Sequence, residues 1–342
     1  MNHARIGKKI PPGVSLEVEF GFAAGVTALF GAQGAGKTLI LECIAGFVRP
    51  DSGRILLDDA ILFDAESRVN VPPRRRNCGY IFQRDALFPH MTLRQNLTFA
   101  ARRWPRLERT RRVGETLERF ELGGAAASRP REIAAPQKLA GSVARALIGE
   151  PKLLLIDDRG LDEALLRQIR AVTTVPILLV TGDLDLCCAA VDELIVVEAG
   201  RILQHGAPRA VLDAPDSVAV ARLLGIPNLF EGTIKGLDPG RNSSLLECEH
   251  FELAGPYIPG HFRGDRVWVA VRAEDLRVHA GDVEARANLV AAQLVRVSHR
   301  ARSVRMEFAG GILVDLAREE FEQRKDNKNW QVEFPPEALR VL

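Results

Sequence analysis

The chain has 342 residues, about two domains' worth at the usual domain size, and its 46% hydrophobic and 26% charged residues describe a globular composition able to bury a sizeable core. Lys and Arg total 46 against 44 Asp and Glu, a net charge of +2, so the electrostatic footprint of a nucleic-acid binder is missing. No apolar run approaches the roughly 20 residues of a membrane span, residues 1–5 lead into no apolar leader segment, and five cysteines without C-x-x-C spacing exclude a disulfide framework or zinc ribbon and suit a reducing cytoplasm.

From the amino end, residues 15–20 alternate with period two and 26–30 form a short buried-strand run, so 14–30 reads as strands around a turn. A Gly-rich loop follows at 31–38, then an apolar helical stretch at 39–46. Residues 92–103 read as an exposed helix with a basic end, and Arg109, Arg111 and Arg112 belong to the same solvated face. Further buried strands are read at 152–157, 175–181 and 193–197, with helical segments between them. That pattern predicts an α/β domain with a largely parallel sheet. Near 224–228 the texture changes to short strands at 230–234, 266–271, 289–297, 303–308 and 312–316, which predict a small β-barrel or sandwich.

Gly31-Ala32-Gln33-Gly34-Ala35-Gly36-Lys37-Thr38 fits the pattern G-x-x-x-x-G-K-[ST]. Its three glycines permit a tight turn whose backbone N–H groups face phosphate oxygens, and the helix beginning near Lys37 adds its positive end. Lys37 would reach the β- and γ-phosphates of ATP, and the Thr38 hydroxyl would ligate Mg²⁺. A buried strand before the loop and a helix after it supply the context the motif needs. Asp157 ends a second buried strand and would hold Mg²⁺ through water. Standing alone, the same aspartate would be read as a helix cap.

Together with this loop, residues 78–93, containing Gln83, and residues 144–157 resemble the ATP-binding subunits of ABC importers. The likeness covers nearly the whole length. Within that family 26–31, 62–64 and 72–76 look most like molybdate importers, a pattern that sulfate, ferric and polyamine importers share in large part. Residues 228–232, 271–276 and 336–339 are similar to the TOBE/Mop-like β domain of such subunits. The resemblance implies an ABC ATPase domain over 1–226 and a TOBE/Mop-like domain over 227–342. It implies a homodimer or a heterodimer with a second ATP-binding subunit, docked on transmembrane permease subunits at the cytoplasmic face of the inner membrane. It makes Gln83 a contact of Mg²⁺ and of the attacking water, in a loop that touches the permease, and it makes the basic helical face a permease contact.

Three positions depart from the family. The signature L-S-G-G-Q is replaced by Ile133-Ala134-Ala135-Pro136-Gln137, in which Ala134 has no hydroxyl and Pro136 no N–H. The catalytic glutamate after Asp157 is Asp158, one methylene shorter, and a misplacement of about 1 Å can lower a rate about a hundredfold. Gly182 stands where the switch histidine belongs. These departures predict retained Mg-ATP binding with slow hydrolysis, or hydrolysis carried mainly by a partner; the alternative is that Asp158 and water suffice. A nucleotide-binding regulatory subunit is the second reading. Phe20 or Phe22 is either an adenine-stacking ring or core, with core preferred. His90, His205, His261 and His299 have no metal-ligand spacing. Ser298 and Ser303 are read as ordinary strand serines, with an oxyanion contact as the other reading.

Overall fold

The computed structural model describes residues 2–10, 13–83, 87–157, 160–280, 287–325, 327 and 329–342. Two compact units divide at 213/214. Helix Val218–Leu223 falls in the second of them, ahead of the composition change on which a division at 226/227 was expected.

The first unit opens with β1 (Asn2–Ile10), β2 (Val14–Phe22) and β3 (Val26–Phe30), followed by helix α1 (Lys37–Ala45). Strands β4 (Ser52–Leu57), β5 (Ala60–Asp64), β6 (Val69–Asn70) and β7 (Cys78–Ile81) come next, then α2 (Leu93–Ala100), α3 (Arg106–Arg119) and α4 (Ala135–Leu147). The unit closes with β8 (Leu153–Ile156), α5 (Glu163–Val172), β9 (Ile177–Thr181), α6 (Leu184–Ala190), β10 (Glu193–Glu198), β11 (Arg201–Gly206) and α7 (Pro208–Asp213). Among the described residues, the central sheet runs β11-β10-β3-β9-β8-β7 and is parallel except at the β10–β11 hairpin. Strands β3, β8 and β9 are buried along their whole length, as continuous apolar runs covered on both faces must be. The expected parallel α/β sheet is therefore present.

A second, antiparallel sheet, β2-β1-β4-β5-β6, carries the α1 side of the same core. Strand β1 has no counterpart among the expected elements. It is anchored by its pairing with β2 from Asn2↔Phe22 to Ile10↔Val14. Phe20 and Phe22 are 3% and 5% exposed in this core, so neither ring is available to a nucleotide.

The exposed helix expected at 92–103 is α2 only as far as Ala100, and it is one-sided. Leu93, Asn96 and Leu97 are buried, because the i, i+3, i+4 positions turn inward. Gly141 of α4 lets this side come close, since a Cβ there would lie 2.6 Å from Leu93 Cδ1. Of the basic residues beyond it, Arg111 and Arg112 on α3 pair with Glu108, and Arg112 also pairs with Glu150.

The second unit contains α8 (Val218–Leu223), β12 (Asn228–Asp238), β13 (Ser243–Cys248), β14 (Glu252–Gly255), β15 (Arg266–Val271), β16 (Arg277–Ala280), β17 (Leu289–Ala292), β18 (Leu294–His299), β19 (Ser303–Phe308), β20 (Ile312–Ala317), α9 (Arg318–Glu322), β21 (Trp330–Glu333) and β22 (Arg340–Val341). Among the described residues its sheets are β14-β13-β12-β15-β22, β16-β21-β17 and β18-β19-β20, around one core that includes Leu246, Val269, Met306, Val314 and Phe334. The single strand expected at 289–297 is two strands in different sheets. The break falls at Gln293, whose carbonyl accepts the Ala309 N–H at 2.8 Å. Ser298 and Ser303 sit in strands, half-buried.

Candidate nucleotide site

The Gly-rich loop 31–36 joins the buried end of β3 to the start of α1. Glycine is required at Gly31, where φ is 152° and a Cβ would meet the Val197 carbonyl oxygen at 2.0 Å. It is required again at Gly36, the N-cap of α1, where φ is 102°. Among the described residues no side chain caps the first turn of α1, so its amides present a positive helix end to the cleft. The Lys37 ammonium donates to the carbonyls of Gly31 at 2.8 Å and Ala32 at 2.7 Å, closing the loop into a ring. Ala35 is 5% exposed and forms the floor. Behind it, the Gly200 amide at the tip of the β10–β11 hairpin donates to the Ala35 carbonyl at 3.0 Å.

A cleft of about 690 Å³ opens over this loop, and Gly31, Gln33, Gly34, Gly36, Lys37 and Thr38 line it. So do Gln83, just beyond β7, Asp157, just beyond β8, and Gly182, just beyond β9. Parallel strands thus deliver the expected residues to one edge of the sheet, where ligands of open α/β sheets bind. Asp157 is 8% exposed; its amide donates to Ile81 O at 2.9 Å, and its carboxylate has no partner among the described residues. A nine-tenths-buried carboxylate facing a cleft together with a threonine hydroxyl is a donor set suited to a hard divalent cation. Asp158 lies outside the described residues, as do residues 84–86 and Arg159.

Gln83 is exposed and lines a second groove of about 810 Å³ with Ala135, Pro136, Lys138 and Ser142, so it stands between the cleft and the start of α4. That helix start is weakly built. Its N-cap Ala134 has no side-chain acceptor, Pro136 occupies one of the first two helical positions, and Gln137 Oε1 accepts the Ala134 amide at 3.2 Å. Among the described residues nothing lies within 4 Å of the Cβ position at Gly182. The next residue, Asp183, is the cap of α6, accepting the Leu186 amide at 3.0 Å.

Three contributors were not read from the sequence. Gly200 was hidden because its role lies between segments far apart in the chain. Ile10, 37% exposed at the end of β1, is an apolar rim of the cleft. Glu42, four residues after Thr38 on α1, also lines it. Partial burial, and secondarily the charge of Asp157, hold the Glu42 carboxyl above its ordinary value. An i, i+4 spacing from Thr38 was the available clue.

The family model described as ABC transporter matches residues 14–159. The molybdenum import ATP-binding protein ModC of Brucella melitensis is 34% identical over 278 residues, which cover 78% of this chain and 74% of that protein. The spermidine/putrescine import ATP-binding protein PotA of Vibrio cholerae is 34% identical, covering 80% of this chain and 72% of that protein. Among solved structures, cbiO1 from Clostridium perfringens, part of the ABC transporter complex cbiONQ, superposes with a TM-score of 0.54 at 25% identity. That match covers 65% of this chain and 92% of cbiO1. Strand–loop–helix geometry, cleft and relatives agree: the chain belongs to the ABC transporter family, as an ATP-binding subunit of the importer type.

Proposed function

We propose that this subunit binds Mg-ATP between its phosphate loop and Asp157, hydrolyses it slowly, and serves the uptake of molybdate or a related oxyanion. ATP-binding subunits of importers work with membrane permease subunits, and no helix among the described residues is long and apolar enough to cross a membrane. The subunit would therefore sit peripherally, on the cytoplasmic face of the cell membrane, as one half of an ATP-closed dimer. Lys37 and the loop amides bind the phosphates, Ile10 offers adenine an apolar surface, and Gln83 orients water. Thr38 and Asp157 would hold the magnesium ion, which supplies charge neutralisation of the phosphate oxygens when bound.

Slow turnover follows from what is absent where the γ-phosphate is gripped and attacked. Ala134 and Pro136 remove a hydroxyl and an amide donor from the start of α4, and Gly182 brings no side chain to the cleft. One preorganised transition-state donor is worth roughly 2.7–4 kcal/mol, and such losses do not add, because the groups act as a unit. The single observation that carries the reading is the convergence of the loop, Gln83, Asp157 and Gly182 on one cleft.

Phosphate release by the purified protein, with and without its permease, tests it. Asp158→Glu combined with Gly182→His should raise turnover, and Lys37→Ala should abolish ATP binding. Wild-type turnover equal to that of relatives with an intact signature overturns the slow-hydrolysis reading. Transport by the reconstituted importer, with molybdate, sulfate and spermidine compared, decides the solute. The polyamine arm is kept because a relative named for spermidine/putrescine import is as similar as those named for molybdenum.

A further inference from the structure

We infer that Glu42 is a second carboxylate of the divalent-metal shell at this nucleotide site, acting beside Thr38 and Asp157 through the metal's water ligands. The inference rests on the reading that Mg-ATP binds in this cleft. Thr38 and Glu42 are one helical turn apart on α1, on the same face, and both line the cleft that Asp157 and Gln83 enter.

Nothing in the packing of α1 accounts for a carboxylate at this position. The neighbouring helix residues Leu39, Ile40, Leu41, Cys43, Ile44 and Ala45 are all buried and apolar. Glu42 occupies the last turn, where its own carbonyl accepts the amides of Gly46 and Phe47. The helix end there is negative, so a carboxylate is disfavoured. It faces the same cleft as Asp157, a like charge, and it makes no ion pair or hydrogen bond with any described side chain. Asp157 is itself 8% exposed and unpartnered among the described residues. The two carboxylates of this cleft repel each other, the Lys37 ammonium that shares it is held by the loop carbonyls of Gly31 and Ala32, and a divalent cation bound between phosphate and protein offsets the repulsion. Magnesium keeps several of its waters, so a glutamate reaching in from the next helical turn can act without displacing Thr38 or Asp157.

The rival role gives the opposite sign. As a bystander, Glu42 would only repel the triphosphate, and its neutralisation would tighten ATP whether or not metal is present.

The test uses the full chain and Mn²⁺ as the probe. ATP affinity is measured by calorimetry in Mn²⁺ and again in EDTA, for wild type, Glu42→Gln, Glu42→Asp and Asp157→Asn. The metal-dependent gain in affinity should fall about tenfold in Glu42→Gln, the low end for outer-shell partners of metal ligands. It should fall less in Glu42→Asp, and the Mn²⁺ electron paramagnetic resonance spectrum of the ATP complex should change in Glu42→Gln. A gain unaltered in Glu42→Gln, or ATP tightened equally in Mn²⁺ and EDTA, overturns the inference while a lowered gain in Asp157→Asn leaves the site reading standing. A gain unaltered in Asp157→Asn overturns the site reading itself. Unchanged melting temperatures identify the effects as local.

Discussion

The amide of Gly200 donates to the carbonyl of Ala35 at 3.0 Å, and so a hairpin tip more than a hundred and fifty residues downstream supports the floor of the phosphate loop. The same residue accepts the Glu17 amide at 2.8 Å, which ties β2 to this contact. Its φ is 78°, and a Cβ would lie 2.0 Å from the Ser15 carbonyl oxygen. Gly200→Ala is expected to destabilise the protein by about 1–3 kcal/mol through backbone strain and to weaken ATP binding with it. A shifted denaturation midpoint at constant slope is the measurement. Gly182→Ala, which meets nothing within 4 Å, should leave stability unchanged.

Arg76 is 1% exposed and has no carboxylate partner among the described residues. Its guanidinium donates instead to Val71 O at 2.7 Å, Cys43 O at 2.9 Å, Ile44 O at 2.8 Å and Asn70 Oδ1 at 2.9 Å. It thereby caps the negative end of α1 from the segment that feeds β7 and Gln83. Arg76→Ala leaves a cavity and several buried acceptors unpaired, and should lose at least about 3 kcal/mol. Arg76→Lys should recover only part, because an ammonium cannot reproduce the planar fork. Thermal and urea unfolding of both variants check this.

Ala134 caps α4 without an acceptor side chain. Ala134→Ser should therefore stabilise the protein by about 0.5–2 kcal/mol. On the proposed slow-hydrolysis reading it returns a hydroxyl at the signature position as well, yet Pro136 still lacks an N–H, so turnover should rise little. Unfolding and phosphate release measured on the one variant separate the two effects.

The thiols divide sharply. Burial pushes Cys43, Cys78 and Cys187 up to about 12 and Cys248 to about 11, while Cys188 is exposed. Native protein at pH 8 should present one fast-reacting thiol and denatured protein five. The linkage sign follows from pKa values that rise on folding. Stability is fully present below the free-thiol value of 9.0 and is lost as pH rises toward about 12. Urea midpoints between pH 8 and 10.5 should therefore fall with increasing pH.

The phosphate loop, Asp157 and the parallel strands were legible because each is written in contiguous residues: glycines at fixed spacing, apolar runs of strand length, an acid at a strand's end. The departures at Ala134, Pro136 and Gly182 were legible for the same reason, since a missing hydroxyl or amide is a property of one residue. Strand β1 was not, because it depends on pairing with β2 and β4 and not on a strong apolar period of its own. The division of 289–297 into β17 and β18 was equally hidden, since two sheets compete for that segment.

What the sequence determined by itself was the chemistry available at the site, because phosphate recognition needs a local turn of glycines, a lysine and a helix start within a few residues. Only the tertiary structure decided which distant groups join it. Gly200 reaches the floor of the loop and Arg76 the far end of α1 through space, and the long-range packing that brings them there has no period along the chain.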